Sequence, residues 1–319
     1  MRLVSIVVPM YNEEEMVSLF FATLNPILAK VNNYQFEIVA VNDGSKDKTF
    51  SLLLEEQKKQ NNLVVVNLTR NFGHEPAVCA GIKTAKGDAV IPIDADLQDA
   101  PEIIPDLIKK WEEGFDVVNA RRASRAEDSF MKRWTAKKFY QYIAKLSGKV
   151  KVPQNVGHYR LISRRVVDEV NLLSEKNRVF RVQVPYIGYK TTEVLFTRKK
   201  RAGGHGHYNY HSMFDLAFNA IISSTIKPLY WPLKLTVLFG FFFGLSAVAE
   251  LVLFILSLNP ASFAAGIDFS LWLGLNVGAL FTLFIMFTLS IMSIYLAKTF
   301  VETQNRPFFL IEKVYEVKE

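Results

Sequence analysis

Five short runs rich in Val and Ile recur along the first 120 residues: Val4–Val8, Phe36–Val41, Leu63–Leu68, Ala89–Ile93 and Asp116–Val118. They are nearly unalternated, the pattern of parallel strands covered on both faces. Between them lie helix candidates with recognisable starts and stops. Asn12 precedes three glutamates and is the expected N-cap of the first. Ser45 precedes the stretch Asp47–Gln60, and Pro101 opens Glu102–Glu113, which stops at Gly114. The order βαβαβαβαβ predicts an α/β fold, a doubly wound and mostly parallel sheet whose ligands sit beyond the carboxyl ends of the strands.

The remainder of the 319 residues has a different character. Two long apolar runs, 235–258 and 269–297, carry one ionisable residue between them, Glu250. Each exceeds the roughly 20 residues needed to cross a ~30 Å hydrocarbon layer, so two transmembrane helices are expected. Lys227, Lys234, Lys298, Arg306, Lys313 and Lys318 flank the outer ends of the pair, whereas the loop 259–268 has neither Lys nor Arg. The positive-inside rule then places both termini and the globular part on the cytoplasmic side of a multi-pass inner or plasma membrane protein. The expected division is a cytosolic domain over 1–210, an interfacial helix over 211–232, two spans within 233–300 and a cytosolic tail over 301–319. Glu250 would face a neighbouring span, in the same chain or in a homo-oligomer. The spans lack the paired charges and broken helices of a transporter. A lone cysteine, Cys79, rules out an intramolecular disulfide and suits a reducing compartment.

The net charge of +7 is unevenly spread. Ten Lys and Arg fall between Arg121 and Lys151, against Glu127 and Asp128, and Arg198–Arg201 form a second cluster. Next to two spans, phosphate ligands and anionic lipid are better partners for such clusters than nucleic acid. Ser129 to Leu146 reads as a basic amphipathic helix, either on the protein surface or in the membrane interface. Met213 to Tyr230 is more apolar and leads into Trp231-Pro232.

Asp94-Ala95-Asp96-Leu97-Gln98-Asp99 follows the fourth strand candidate directly. Two carboxylates one residue apart at a strand end can converge on one hard cation that bridges to substrate phosphates. Asp99, just before Pro101, can equally be a helix cap. Pro9-Met10-Tyr11-Asn12-Glu13 follows the first strand and Val41-Asn42-Asp43-Gly44-Ser45 the second. Each could be a turn by itself. All three fall at the same edge of one sheet, where Tyr11 offers a ring face and Asp43 a carboxylate for a base or ribose hydroxyl.

With these motifs the chain resembles the inverting nucleotide-sugar transferases of the GT-A fold. The branch is the one containing dolichyl-phosphate mannose synthases and bacterial polyprenyl-phosphate glucosyltransferases. The resemblance rests on Val8-Pro9-Met10-Tyr11-Asn12-Glu13, Asn42-Asp43-Gly44-Ser45, Arg70-Asn71-Phe72-Gly73 and the acidic run 94–99. Tyr159-Arg160-Leu161-Ile162 with Arg164, and Arg201 to Tyr208, match more loosely. It implies a glycosyltransferase that moves a sugar, with UDP-glucose or UDP-N-acetylglucosamine as first guesses for the donor, onto polyprenyl (undecaprenyl) phosphate. The lipid-linked sugar would serve modification of cell-envelope glycans. By position, Pro9, Tyr11, Glu13, Val41, Asp43 and Ala95 would hold the nucleotide-sugar. Asp94, Asp96 and Gln98 would surround Mg2+ or Mn2+ and the diphosphate, with Asp96 counted as catalytic, and Arg122 and Arg201 would contact phosphates. Arg125, Arg160 and His207 are further candidates for the acceptor phosphate.

Two departures matter. Where relatives carry Asp-Phe-Arg-Leu, this chain has His158-Tyr159-Arg160-Leu161; where many carry Gly-x-Ser-Lys-Tyr, it has Gly204-His205-Gly206-His207-Tyr208. The first exchanges an anion for an imidazole, so His158 replaces a general base, contacts the sugar or is structural. An acceptor phosphate is already anionic near neutrality and needs no deprotonation, so the chemistry tolerates loss of a base. A processive polysaccharide synthase is the rival enzyme, but Phe130 stands where its Gln-x-x-Arg-Trp signature needs Gln before Arg133-Trp134. A non-catalytic nucleotide-binding scaffold would cite the two histidines; the intact Asp94, Asp96 and Gln98 set opposes it.

Overall fold

The computed structural model describes residues 1–123, 153, 155–173, 180–197, 227–258 and 269–316. They form two compact units, Met1–Ala220 with Arg306–Glu319, and Ile221–Asn305. The expected basic helix over 129–146, the Gly203–Gly206 loop and residues 211–226 of the expected interfacial helix lie outside the described residues.

In the first unit, β1 (Arg2–Met10), β2 (Tyr34–Asn42), β3 (Leu63–Leu68) and β4 (Ala89–Pro92) are parallel neighbours in the order β3-β2-β1-β4. Val4, Ile6, Val7 and Val8 are wholly buried, which is why the run does not alternate: both faces of β1 are covered. Helices α1 (Glu14–Leu28) and α2 (Thr49–Gln57) cover the face carrying Val4, Ile6 and Val8. The six buried apolar side chains of α1, Met16, Val17, Phe20, Phe21, Leu24 and Leu28, stabilise that layer by about 1.5–3 kcal/mol each relative to exposure. Helix α3 (His74–Thr84) lies on the opposite face, against Val7, Val39 and Val41. Gly81 permits that approach, since a Cβ there would stand 2.3 Å from Val7 Cγ1. The chain therefore changes faces between β3 and β4, and the strand order reverses between β1 and β4, the topological switch point where α/β sheets bind ligands.

Beyond β4 the arrangement departs from the simple repeat. After a 3-10 turn at Pro101–Ile103 and helix α4 (Ile104–Glu112), β5 (Val117–Arg122) does not take the place beside β4. That place belongs to β6 (Val156–Ser163), which runs antiparallel to both β4 and β5. Tyr159 to Ser163 are all buried, whereas β5 ends in the partly exposed Arg121 and Arg122. Helices α5 (Arg164–Leu172) and α6 (Phe180–Ile187) follow on the α3 face, and β7 (Thr191–Phe196) pairs parallel with β5 at the edge.

The opposite edge is closed by the region read as a tail. Ile311–Tyr315 forms β8, antiparallel to β3, with Val66 opposite Val314. Gln57 Nε2 donates to the Tyr315 carbonyl at 2.6 Å, and Tyr315 packs edge-on against Phe50. An eight-stranded sheet with order β7-β5-β6-β4-β1-β2-β3-β8 results, mostly parallel, with β6 and β8 reversed.

The second unit holds α7 (Trp231–Ser257) and α8 (Phe269–Thr303), preceded by a 3-10 turn at Lys227–Tyr230. At 1.5 Å per residue their 27 and 35 residues extend about 40 and 52 Å. Among the described residues one segment, Leu280–Thr303, is long and apolar enough to cross a membrane, with mean hydropathy 2.1. Leu283, Leu289 and Leu296 on α8, and Val237, Phe241 and Leu245 on α7, are exposed. The side chain of Glu250 lies outside the described residues.

Candidate active site

The loops leaving β1 and β2 are locked together by reciprocal side-chain bonds. Asn12 adopts φ +52°, so it is not the N-cap expected of it; Glu13 takes that position without a side-chain cap bond. The neighbouring loop satisfies the open helix end instead. Thr49 Oγ1 accepts from the Glu13 N–H at 2.8 Å, and Asp47 Oδ2 from that of Glu14 at 3.1 Å. In return Asn12 Oδ1 accepts from the Lys46 N–H at 2.9 Å and Glu14 Oε2 from that of Lys48 at 2.9 Å. Asn12 Oδ1 is taken by the Lys46 N–H across the two loops, which is why the local capping rule failed.

Asp43 ties this pair to the loop after β3. Its Oδ1 accepts from the Phe72 N–H at 2.8 Å and its Oδ2 from the Gly73 N–H at 2.9 Å, while its own N–H donates to the Met10 carbonyl at 2.9 Å. Burial raises the Asp43 carboxyl above its ordinary range, and the two backbone donors oppose that rise. Gly44 makes the approach feasible. It has φ +63°, and a Cβ would lie 2.4 Å from the Arg70 carbonyl carbon and 2.5 Å from the Asn71 nitrogen.

The acidic run turns sharply after β4. Asp96 Oδ1 accepts from the Gln98 N–H at 3.1 Å, Leu97 sits at φ +55°, and Tyr159 Oη donates to the Ala100 carbonyl at 2.9 Å. Asp99 is buried and meets Arg122 Nη2 at 3.5 Å, so it anchors an arginine. Asp94 Oδ1 lies 3.0 Å from His74 Nε2 at the start of α3. Burial alone would push Asp94 up. His74 through its hydrogen bond and charge, then His158 and Arg122, reverse this and hold it well below the usual carboxylate range.

A second histidine–carboxylate contact adjoins the first. His158 Nε2 is 2.8 Å from Glu75 Oε1, and the His158 and His74 rings are 4.8 Å apart. Phe180 stacks on His158 at 6.2 Å and donates its N–H to Glu75 Oε2 at 3.1 Å. Burial would raise Glu75, but the charge and hydrogen bond of His158, with the Phe180 N–H, bring it down to about 2. Arg181 is near enough to His74 and Arg160 for its charge to oppose theirs. One carboxylate of the acidic run is thus ringed by His74, His158 and Arg122.

Of the residues singled out from sequence, Tyr11 is exposed, Glu13, Asp94 and Gln98 are partly exposed, and Pro9, Asp43, Ala95 and Asp96 are buried, all at the carboxyl edge of β1, β2 and β4. Val41 is wholly buried with its side chain in the core under α3, so only its main chain could face a ligand. Arg160 is wholly buried one register deeper than His158. Arg125, Arg201 and His207 lie outside the described residues. No group of three or more His, Cys, Asp or Glu side chains suited to a metal occurs among the described residues. His74, Glu75, Phe180 and Arg181 were missed. The first two follow directly on Arg70-Asn71-Phe72-Gly73 at a strand's carboxyl end and were open to notice; the pairing of Glu75 with His158, 83 positions away, was not.

Comparison with known proteins agrees with this arrangement. Residues 5–170 match the model of glycosyl transferase family 2. An uncharacterized glycosyltransferase from Synechocystis sp. is 38% identical over 98% of this chain and 95% of its own length. A prophage bactoprenol glucosyl transferase homolog of Escherichia coli K12 is 36% identical over 98% and 99%. The SfII prophage-derived bactoprenol glucosyl transferase of Shigella flexneri is 36% identical over 97% of each. A match covering half the chain, relatives aligned nearly end to end, and an acidic turn at the switch point of a GT-A-like sheet lead to one conclusion: the chain belongs to glycosyl transferase family 2 and is a glycosyltransferase.

Proposed function

We propose that the protein transfers a hexose, glucose or N-acetylglucosamine, from a UDP-linked donor to undecaprenyl phosphate at the cytoplasmic face of a membrane. The observation that carries this reading is the convergence of Asp94 with His74, His158 and Arg122 beside the interlocked β1 and β2 loops. The apolar surfaces of α7 and α8 and the bactoprenol relatives support a lipid acceptor. On this reading α7 and α8 both span the bilayer, with 1–210 and 301–319 on the cytoplasmic side.

In the reaction an acceptor phosphate oxygen attacks the anomeric carbon in line. The new carbon–oxygen bond forms as the bond to the diphosphate breaks, its electron pair leaving with the nucleoside diphosphate, and the anomeric centre inverts. Tyr11, Glu13 and Asp43 hold the nucleotide, with the main chain of Pro9, Val41 and Ala95. Arg122, fixed by Asp99, supplies positive charge to the departing diphosphate, with Arg201 as a further phosphate contact. His158 commits Nε2 to Glu75, so any proton it exchanges with substrate passes through Nδ1. Asp94, Asp96 and Gln98 would supply oxygen donors for Mg2+ or Mn2+. A hard cation of this kind binds through one or two carboxylates plus substrate phosphates, and Asp94 is held anionic, so the donor set fits. Such an ion would stabilise the leaving group as a Lewis acid.

The test is incubation of membranes containing the protein with undecaprenyl phosphate and radiolabelled UDP-glucose or UDP-N-acetylglucosamine. Label passing into the organic phase from one of the two is expected; none from either overturns the assignment.

A further inference from the structure

Beneath the β5–β6 pair, away from the acidic run, a cavity of about 450 Å³ opens among Asn119, Arg160, Val184, Pro185, Tyr189 and Thr191. Arg160 on β6 lies opposite Asn119 on β5 in the antiparallel register, so both side chains project from the same face, that of α6. Arg160 has no exposed surface. Its Nη2 donates to the Gly157 carbonyl at 2.7 Å, but among the described residues Nε and Nη1 have no hydrogen-bond partner, and neither has the buried Oδ1 of Asn119. Among the described residues no carboxylate is in direct contact with it: the ring of Phe180 lies 5.3 Å from Cζ, and Glu75 favours its charge only from a distance.

An arginine in this position is costly. A buried charge is ordinarily paired and its protons satisfied. Here burial first, and then the like charge of Arg181, draw the guanidinium down to about 9, and the more distant Glu75 carboxylate offsets this only in part. Water could take the free protons but would leave the charge without an anion in direct contact.

We propose that this cavity is a binding site for a small oxyanion-bearing molecule, a carboxylate or phosphate, held by Arg160 and by Asn119 Oδ1. Chemistry defines the occupant further. Nε and Nη1 lie on different edges of the guanidinium plane, so it needs one anionic group across the Nη1–Nη2 edge and a second acceptor oxygen at Nε. Asn119 Oδ1 requires a donor, such as a hydroxyl. Val184 and Pro185 leave room for a short apolar portion. Arg160 therefore serves this cavity rather than the acceptor phosphate. Phe180 joins the two regions, since it touches Arg160 here and His158 and Glu75 at the candidate active site.

The test uses the full-length protein in detergent, with thermal unfolding followed in inorganic phosphate, acetate or chloride at equal ionic strength. At about ten times Kd, one bound anion should raise the wild-type midpoint by about 3 °C over chloride. Arg160→Met should lose that rise and, without anion, unfold no earlier than wild type, because an apolar replacement removes a buried charge that no carboxylate among the described residues touches. Arg122→Met should keep the rise, which separates this cavity from phosphate binding at the proposed donor site and makes the result independent of the proposed reaction. A wild-type midpoint indifferent to both anions, or a full rise in Arg160→Met, overturns the proposal. Should Arg160→Met fail to fold, wild-type crystals soaked in selenate decide: an anomalous selenium peak beside Arg160 is expected, and its absence is refutation.

Discussion

Replacing Glu75 by Gln tests the electrostatics of the site directly. The carboxylate accepts from His158 at 2.8 Å and from the Phe180 N–H at 3.1 Å, and its side chain is 23% exposed. Glutamine preserves the shape and one acceptor oxygen but removes the charge. Drawing a carboxyl from its ordinary 4.5 to about 2 corresponds to on the order of 3 kcal/mol of folded-state stabilisation. An acid with a lowered folded pKa contributes fully above its unfolded pKa and loses that contribution as pH falls through the folded value. The wild-type advantage over Glu75→Gln should therefore be complete near pH 5, shrink between pH 4.5 and 2, and vanish below. For a domain of this size 3 kcal/mol moves the unfolding midpoint by about 6–12 °C. Calorimetry of both proteins in detergent between pH 6 and 3 reads the difference. Equal midpoints at pH 5, or an offset unchanged down to pH 3, would refute the claim that His158 and the Phe180 N–H hold this carboxylate ionised.

Changing Asp96 to Asn should abolish lipid-linked product while leaving expression and the unfolding midpoint near wild type; normal turnover by extraction assay would remove Asp96 from the reaction. His158→Ala should cut kcat while UDP affinity by calorimetric titration stays the same, and wild-type rates would deny it any chemical role. Gly44→Ala adds the left-handed cost of roughly 1–2 kcal/mol to a clash with the Arg70–Asn71 backbone. It should lower the unfolding midpoint and weaken UDP binding together, whereas a neutral result would mean that the β2 and β3 loops are not clamped as described.

The βα half of the sheet was legible because burial on both faces writes unbroken apolar runs, and because strand ends carried Pro9–Glu13, Asn42–Ser45 and Asp94–Asp99. What could not be read is what depends on distant pairing. Isolated, Ile311–Tyr315 is five residues with two charges in the middle, and only the open edge of β3 makes it a strand. Asn12 looked like a cap since the rule is local, while the donors of α1 are met by Asp47 and Thr49 from the next loop. His158 stood out as a departure from its family's pattern, yet its carboxylate sits on α3, a helix earlier in the chain and on another strand's crossover.

The reversed strand β6 explains how these distant groups meet. In a wholly parallel sheet only carboxyl ends of strands reach the ligand edge, and residues beyond them come from loops. Because β6 runs against β4 and β5, its amino end stands at that same edge: Val156 pairs with Arg121 near the end of β5. His158 is delivered there on a strand, between the paired Arg160 and Val156, rather than by a loop, while Arg160, two residues further in, is carried beneath α6 into the cavity. A side chain on a strand is positioned more rigidly than one on a loop, which suits an imidazole that must keep Nε2 on Glu75. The same pleat puts Tyr159 on the opposite face, where its hydroxyl fixes Ala100 and hence the end of the acidic run. Three successive residues of β6 thus act at three places: at the candidate active site, on the acidic loop and in the anion cavity. A one-residue slip of this strand would disrupt all three at once, whereas lengthening the chain before Asn155 should leave them intact.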